Sequence, residues 1–413
     1  MPTAIVTGAT GINGLAVLRT LSADPKTWTQ IYAVSRSAPS ASTLFPANVQ
    51  HVPLDLLGGA AGVAKALKQR IDAQSNDAIY VFFAAYLEQP TEEEQSNVNG
   101  ALLRNFLEGV REAGLEKRLK RVVLTTGAKY YGVHYGAVKV PCEEEDPKVM
   151  GPTVPRNFYY VQEDILIEMS RGQSWDWCTA MPGAVIGFAH GNFMNMASAI
   201  AIYASVCKEL GEPLHFTGNL PGYTTFDTYS SAKLVAEFEI WAALNEKCHN
   251  ERFNTVNGDS ASWQSMWPKI ARHFGVRIPP NQFVMPAPLP GKYKIAQDPP
   301  LAAHADKMGL VGVLEENALD CRVDLVKWAE REDVKKAWAE IAKREGLKDD
   351  ALQKATWVFA NMMLAKKYPW VSSMTKARKF GWTGYVDTWE CLEDTFNELE
   401  QERIIPRPQS LIH

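Results

Sequence analysis

The sequence has no C-x-x-C pair, and its six cysteines (Cys142, Cys178, Cys207, Cys248, Cys321 and Cys391) are scattered without metal-ligand spacing. That argues against a zinc site, a dithiol redox centre and a disulfide framework, so no metal is expected. Charge of one sign is not in excess either. A net charge of -4 gives no field for nucleic acid, and the one basic cluster, Lys117-Arg118-Leu119-Lys120-Arg121, reads as a solvated helix end leading into a strand. Long apolar runs are missing. The longest, around Met194 to Val206, is interrupted by Asn195 and Ser198 and is too short to span a bilayer. The start shows no signal-peptide pattern. A cytoplasmic protein with no nucleic-acid or membrane partner is the expectation, and a homodimer is left open. With 413 residues, 46% of them hydrophobic and 22% charged, the chain can bury a large core and divide into two lobes.

Near the amino terminus, Ala4-Ile5-Val6-Thr7 is a short apolar strand that runs into Gly8-Ala9-Thr10-Gly11-Ile12-Asn13-Gly14 and then a helix-like segment. Three glycines spaced G-x-x-G-x-x-G between a strand and a helix read as a dinucleotide cradle. Gly8 allows the tight turn, Gly11 lets the backbone approach a pyrophosphate, and Gly14 lets helix and strand pack closely, with phosphate held by helix N-terminal amides. This spacing is the form used by short-chain dehydrogenase/reductase proteins.

The next strand, Gln30 to Val34, ends in Ser35-Arg36-Ser37, where no carboxylate is present to accept from ribose hydroxyls. Arg36 offers a planar fork of donors suited to a 2′-phosphate, so NADPH is favoured over NADH. Further apolar strands follow at 49–56, 78–85, 121–127 and 177–187, with another at 252–258, alternating with helical segments. The expected fold is α/β: a Rossmann-type doubly wound parallel sheet over 1–187, with 226–259 returning to it. A smaller, mainly helical substrate lobe takes 188–225 and 260–413. Seven prolines between Pro279 and Pro300 resist regular structure and read either as a loop over the cleft or as an inert connector.

Most short-chain reductases place Tyr-x-x-x-Lys on one helix. Tyr135-Gly136-Ala137-Val138-Lys139 matches that spacing, but Gly132, Gly136 and Pro141 break any helix there. The expected helix begins after Pro155, and on it Tyr159 is followed four residues later by Glu163 instead of lysine. A lysine stands elsewhere, at Lys129, just beyond the strand ending at Thr126.

These segments resemble the progesterone 5-beta-reductase / iridoid synthase (PRISE) family of extended short-chain reductases. The resemblance is carried by Gly8 to Gly14, by Thr126-Gly127-x-Lys129-x-Tyr131 and by Asn157-Phe158-Tyr159-Tyr160-x-x-Glu163-Asp164. It runs nearly end to end, through Leu234-Val235-Ala236-Glu237-x-Glu239-Ile240-Trp241, Asn257-Gly258-Asp259 and Ser372-Ser373-Met374. It implies NADPH-dependent reduction of the carbon-carbon double bond of an enone or enal, with Tyr159 as the catalytic phenol and Lys129 its partner. Thr10, Ile12, Asn13, Ser35, Asp55, Leu56, Ala84, Thr126, Pro182 and Val185 would complete the cofactor contacts, Asp55 meeting the adenine amino group.

The same resemblance implies that Asn195 lies near the substrate. Tyr86, Tyr131, Tyr135, Phe193, Phe226 and Trp357 are candidate pocket walls. A mostly apolar cleft with few polar groups suits a small apolar enone or enal. The departures from the family pattern, Ala180-Met181-Pro182 and Ala85-Tyr86, keep the substrate itself open. So do two other readings: a carbonyl reductase or epimerase using the same cofactor, and a non-catalytic NADP-binding regulator.

Overall fold

A computed structural model describes residues 2–407 except 38–44, 73, 152–153, 190–194, 295–299, 315–317 and 349. Eleven strands are present among the described residues: β1 Thr3–Thr7, β2 Gln30–Ser35, β3 Val49–Pro53, β4 Ile79–Phe83, β5 Leu119–Thr125, β6 Asp176–Pro182, β7 Ala184–Ile186, β8 Tyr229–Ser231, β9 Glu251–Thr255, β10 Gly291–Lys294 and β11 Ala318–Cys321. Seven of them form one parallel sheet in the order β3-β2-β1-β4-β5-β6-β9. The strand order reverses between β1 and β4, and ligands of open α/β sheets bind at such a switch point, outside the strands' carboxyl ends.

The sheet is built as the composition of its strands dictates. β1 is buried at every residue, and β4, β5 and β6 are nearly so, which is what near-continuous apolar runs give when helices cover both faces. One face carries α1 (Ile12–Ser22) and the other α2 (Ala60–Lys68), α3 (Glu92–Glu112) and α4 (Phe158–Ser170). The chain continues through α5 (Met196–Leu210), α6 (Leu220–Thr224), α7 (Ala232–Leu244) and α8 (Trp263–Phe274). It ends with α9 (Leu325–Ala329), α10 (Glu332–Glu345), α11 (Ala351–Lys354), α12 (Trp357–Ala365), α13 (Thr375–Lys379) and α14 (Thr388–Gln401). Of these, α7 packs on α1 beside the sheet, while α5, α8, α9, α10 and α12 pack largely on one another.

Several expected boundaries move. The single strand expected over 177–187 divides at Gly183, where a side chain would meet the Thr228 carbonyl oxygen at 2.9 Å; β7 beyond it pairs with β8. The helical segment between the strands at 78–85 and 121–127 starts at Glu92, because Thr91 caps it by accepting from the Glu94 amide at 3.2 Å. Met374, Ala377 and Trp382, which fall in the expected substrate lobe, share a buried cluster with Val6, Phe238 and Phe253 of the sheet layer. The described part of the proline-rich segment contributes β10, paired antiparallel with β11, and packs Phe283 on Phe216 and Tyr223. No helix among the described residues is long and apolar enough to cross a membrane.

Candidate active site

β5 ends at Thr125, and a short 3-10 turn over Ala128–Tyr131 carries Lys129. Opposite it, α4 begins at Phe158 with Asn157 as its cap. Asn157 binds both sides. Its Oδ1 accepts from the Tyr159 amide at 3.0 Å, and its Nδ2 donates to the Lys129 carbonyl oxygen at 2.6 Å. One side chain therefore fixes the turn that carries the lysine against the helix that carries the tyrosine. Both residues line the same cavity, of about 210 Å³.

The Tyr159 phenol reaches this cavity past Gly127, where a Cβ would stand only 3.0 Å from its Oη. Tyr159 is 9% exposed, and burial, with Glu88 adding to it, pushes the phenol above its ordinary value. The group is neutral at physiological pH and available as a donor. Lys129 is half-buried and close enough to His134 and Glu92 to act on both. Burial first, and Lys129 second, hold the His134 imidazole down at about 3. His134 is thus neutral, and its 3.8 Å separation from Glu92 is no ion pair at neutral pH.

Gly11, Ile12, Asn13, Gly14, Ala84, Thr126, Pro182 and Val185 from the expected cofactor set line this cavity, as does Tyr86, whose Oη donates to Glu88. The glycine turn has the close approaches it was read to need. Gly8 has φ +65°, and a Cβ there would meet the Ala84 carbonyl oxygen at 2.4 Å; at Gly14 it would meet the Gly8 oxygen at 2.2 Å. Thr10 is exposed beside it.

Ser35, Arg36, Asp55 and Leu56 lie outside the cavity, where β2 and β3 end side by side. Arg36 and Asp55 are exposed; Asp55 caps a short turn by accepting from the Leu57 amide at 3.0 Å. The Leu56 side chain is buried among Val63, Leu103 and Phe106.

Four expected wall residues, and Asn195, do not line the cavity. Tyr131 points into the core and donates to Asn254 Oδ1 at 2.7 Å. Tyr135 stacks on His134 with ring centres 3.8 Å apart, so His134 takes the lining position. Asn195 caps α5 through the Ser198 amide and borders a separate cavity with Lys348 and Lys354. Phe226 is 60% exposed. Trp357 is buried against Trp328, its indole N–H donating to the Leu352 carbonyl oxygen. Phe193 lies outside the described residues.

Residues not anticipated as lining the cavity close its other side: Leu319 of β11, Phe359, Met362 and Met363 of α12, and Lys366, Tyr368 and Trp370 after it. The Lys366 ammonium is paired with Asp227 at 2.5 Å and donates to the Tyr368 carbonyl oxygen at 3.0 Å. The Phe359, Met362, Met363 spacing marks one helix face, but an ordinary core stripe has the same spacing, so the sequence carried no distinguishing signal.

Two features of the Tyr-x-x-x-Lys problem resolve in space. Lys139 lies in a turn region and pairs with Glu143 at 2.5 Å and Asp146 at 2.7 Å, away from the cavity. Glu163, four residues after Tyr159, faces a buried ion cluster with Lys148 at 3.1 Å and Arg252 at 3.7 Å.

Residues 4–310 match the family described as PRISE-like Rossmann-fold domain. Relatives include an uncharacterized protein of Schizosaccharomyces pombe, 40% identical over 98% of both chains. The short chain dehydrogenase gsfE of Penicillium aethiopicum is 31% identical over 98% of this chain and 99% of its own. The 3-oxo-Delta(4,5)-steroid 5-beta-reductase of Arabidopsis thaliana is 28% identical over 98% and 93%.

Proposed function

The chain belongs to the PRISE-like Rossmann-fold family, and on that footing we propose that it is an NADPH-dependent oxidoreductase that reduces activated carbon-carbon double bonds, with hydride delivered to the β-carbon of an enone or enal. The observation that carries this reading is the joining of Lys129 and Tyr159 through Asn157 on the wall of a largely apolar cavity.

The residues at the mouth of the sheet fit a dinucleotide. The Gly8 and Gly14 contacts leave no room for side chains between β1, β4 and α1, and Asn13 keeps its Oδ1 buried without a partner. The amides that open α1 would hold a pyrophosphate. Arg36, at the end of β2 and flanked in sequence by Ser35 and Ser37, is the group that favours a 2′-phosphate.

When bound, the reduced nicotinamide supplies the hydride. The protein's part is to hold the acceptor's carbonyl oxygen at Tyr159 Oη. The neutral phenol donates to that oxygen as negative charge grows on it, and low local dielectric strengthens the contact. Lys129 adds positive potential on the same side and eases passage of the phenol proton to the enolate oxygen. Phe158, Phe359, Met362 and Met363 exclude water and grip the apolar part of the substrate. The Arabidopsis relative's name describes reduction of a 3-oxo-Delta(4,5)-steroid, which is this chemistry on one substrate.

The test is NADPH oxidation by the purified protein across a panel of enals, enones and saturated ketones. Turnover confined to acceptors with a conjugated double bond supports the proposal; turnover of saturated ketones alone contradicts it.

A further inference from the structure

Glu239 on α7 has no exposed surface. Its Oε1 lies 2.6 Å from Oγ1 of Thr125, the last residue of β5, and its Oε2 has no hydrogen-bond partner. Thr125 is only half-buried and lines the cavity beside Thr126 and Gly127. A carboxyl group sealed inside the protein therefore touches the active-site floor through one hydroxyl.

An ionised carboxylate with a bare oxygen in an apolar layer is far costlier than a neutral acid whose carbonyl oxygen goes unpaired. The surrounding groups offer no relief. On β5, Arg121 is committed to Asp176 of β6 and to the Ala242 and Asn245 carbonyl oxygens. On β6, burial pushes the Cys178 thiol well up, and it does the same to Cys248 after α7 and Tyr229 on β8, so all three are neutral. From α1, Arg19 is turned outward to Glu398. Burial accordingly raises the Glu239 carboxyl to about 8 against the opposing hydrogen bond from Thr125.

We infer that Glu239 is a neutral acid that donates its proton to Thr125 Oγ1, leaving the Thr125 hydroxyl hydrogen to point into the cavity and bind an acceptor oxygen of the ligand. A hydroxyl has one hydrogen and two lone pairs. If Glu239 were ionised it would claim that hydrogen, and Thr125 would present only lone pairs. Glu239 is thus a positioning residue whose protonation decides whether the floor donates or accepts. The ligand oxygen is an amide or ketone carbonyl, from the cofactor's carboxamide or from the acceptor; assigning it to those two molecules rests on the proposed function.

The experiment has two arms. Infrared difference spectra of wild type against Glu239→Gln at about pH 6.5 should show a protonated-carboxyl carbonyl band that belongs to Glu239 and fades by about pH 9.5. NADPH affinity, by fluorescence titration, and KM and kcat for an accepted enone are measured over the same range in Glu239→Gln, Glu239→Leu and Thr125→Val. The Gln variant, whose amide still donates to Thr125, should keep wild-type affinity and lose the titration near 8. The Leu and Val variants should weaken binding about tenfold. A loss in NADPH affinity assigns the oxygen to the cofactor, and a loss in acceptor KM alone assigns it to the substrate. No carboxyl band in wild type, or a Gln variant that keeps the titration, overturns the inference. If no enone is reduced, the infrared and NADPH arms still decide it.

Discussion

Gly127 leaves the Tyr159 phenol room that a larger residue would take: a Cβ on Gly127 would stand 3.0 Å from the Tyr159 Oη. The glycine is extended, with φ 171°, so an added methyl group brings no backbone strain. Its whole effect falls on the phenol. Gly127→Ala should therefore leave folding and NADPH affinity intact and lower turnover by about tenfold, a cost of about 1.4 kcal/mol in the barrier. Steady-state kinetics alongside a thermal melt check this, and an unchanged kcat would show that the phenol position does not matter.

Tyr159→Phe should lower turnover by about 10² to 10³, the cost of one donor to a developing oxyanion. Lys129→Ala should cost a similar factor. The double variant should fall well short of the product of the two, because the residues act as a unit. Single-turnover hydride transfer in the three variants measures it.

Lys139→Ala is the control. Its ammonium is occupied by Glu143 and Asp146 in a partly exposed turn, so removing it should cost at most about 1 kcal/mol of stability and leave turnover near wild type. A loss in turnover equal to that of Lys129→Ala would mean that the wrong lysine had been chosen.

Arg36→Ala should raise the Michaelis constant for NADPH by the equivalent of about 1.5 to 3 kcal/mol and leave that for NADH nearly unchanged. Comparable use of both cofactors by the unmodified protein would remove the basis for the assignment.

Two buried groups should give stability a pH dependence in overlapping windows. His134 is lowered in the folded state, so its contribution is present above the ordinary histidine value of 6.5 and is lost as pH falls toward about 3. Glu239 is raised, so its contribution is complete below the ordinary carboxyl range and is lost as pH rises toward about 8. Thermal melts against pH should show His134→Phe removing the loss below 6.5 and Glu239→Gln removing the decline between about 4.5 and about 8. Parallel curves for variants and wild type would contradict both assignments.

The sheet and its cradle were legible because their signals are local. An apolar strand, three glycines and a helix lie within twenty residues, and the turn they encode brings Gly8 against Ala84. The rejection of Tyr135 and Lys139 was legible for the same reason, since Gly136 and Pro141 sit between and beside them. The joining of Lys129 to Tyr159 is not local. It depends on Asn157, which caps α4 and also donates to the carbonyl oxygen of Lys129, 28 residues away in sequence. The wall residues were the least legible. Tyr131 and Trp357 look like pocket aromatics but have partners in the core, while Lys366, not among the expected walls, lines the cavity and is buried against Asp227. Such placements are set by long-range packing, which periodicity does not encode.

The central claim is where the hydride lands. The direct measurement uses NADPH carrying deuterium at its transferable position, an accepted enone, and NMR of the product. The account predicts deuterium on the β-carbon with the carbonyl intact; deuterium on the former carbonyl carbon, in an allylic alcohol, would contradict it.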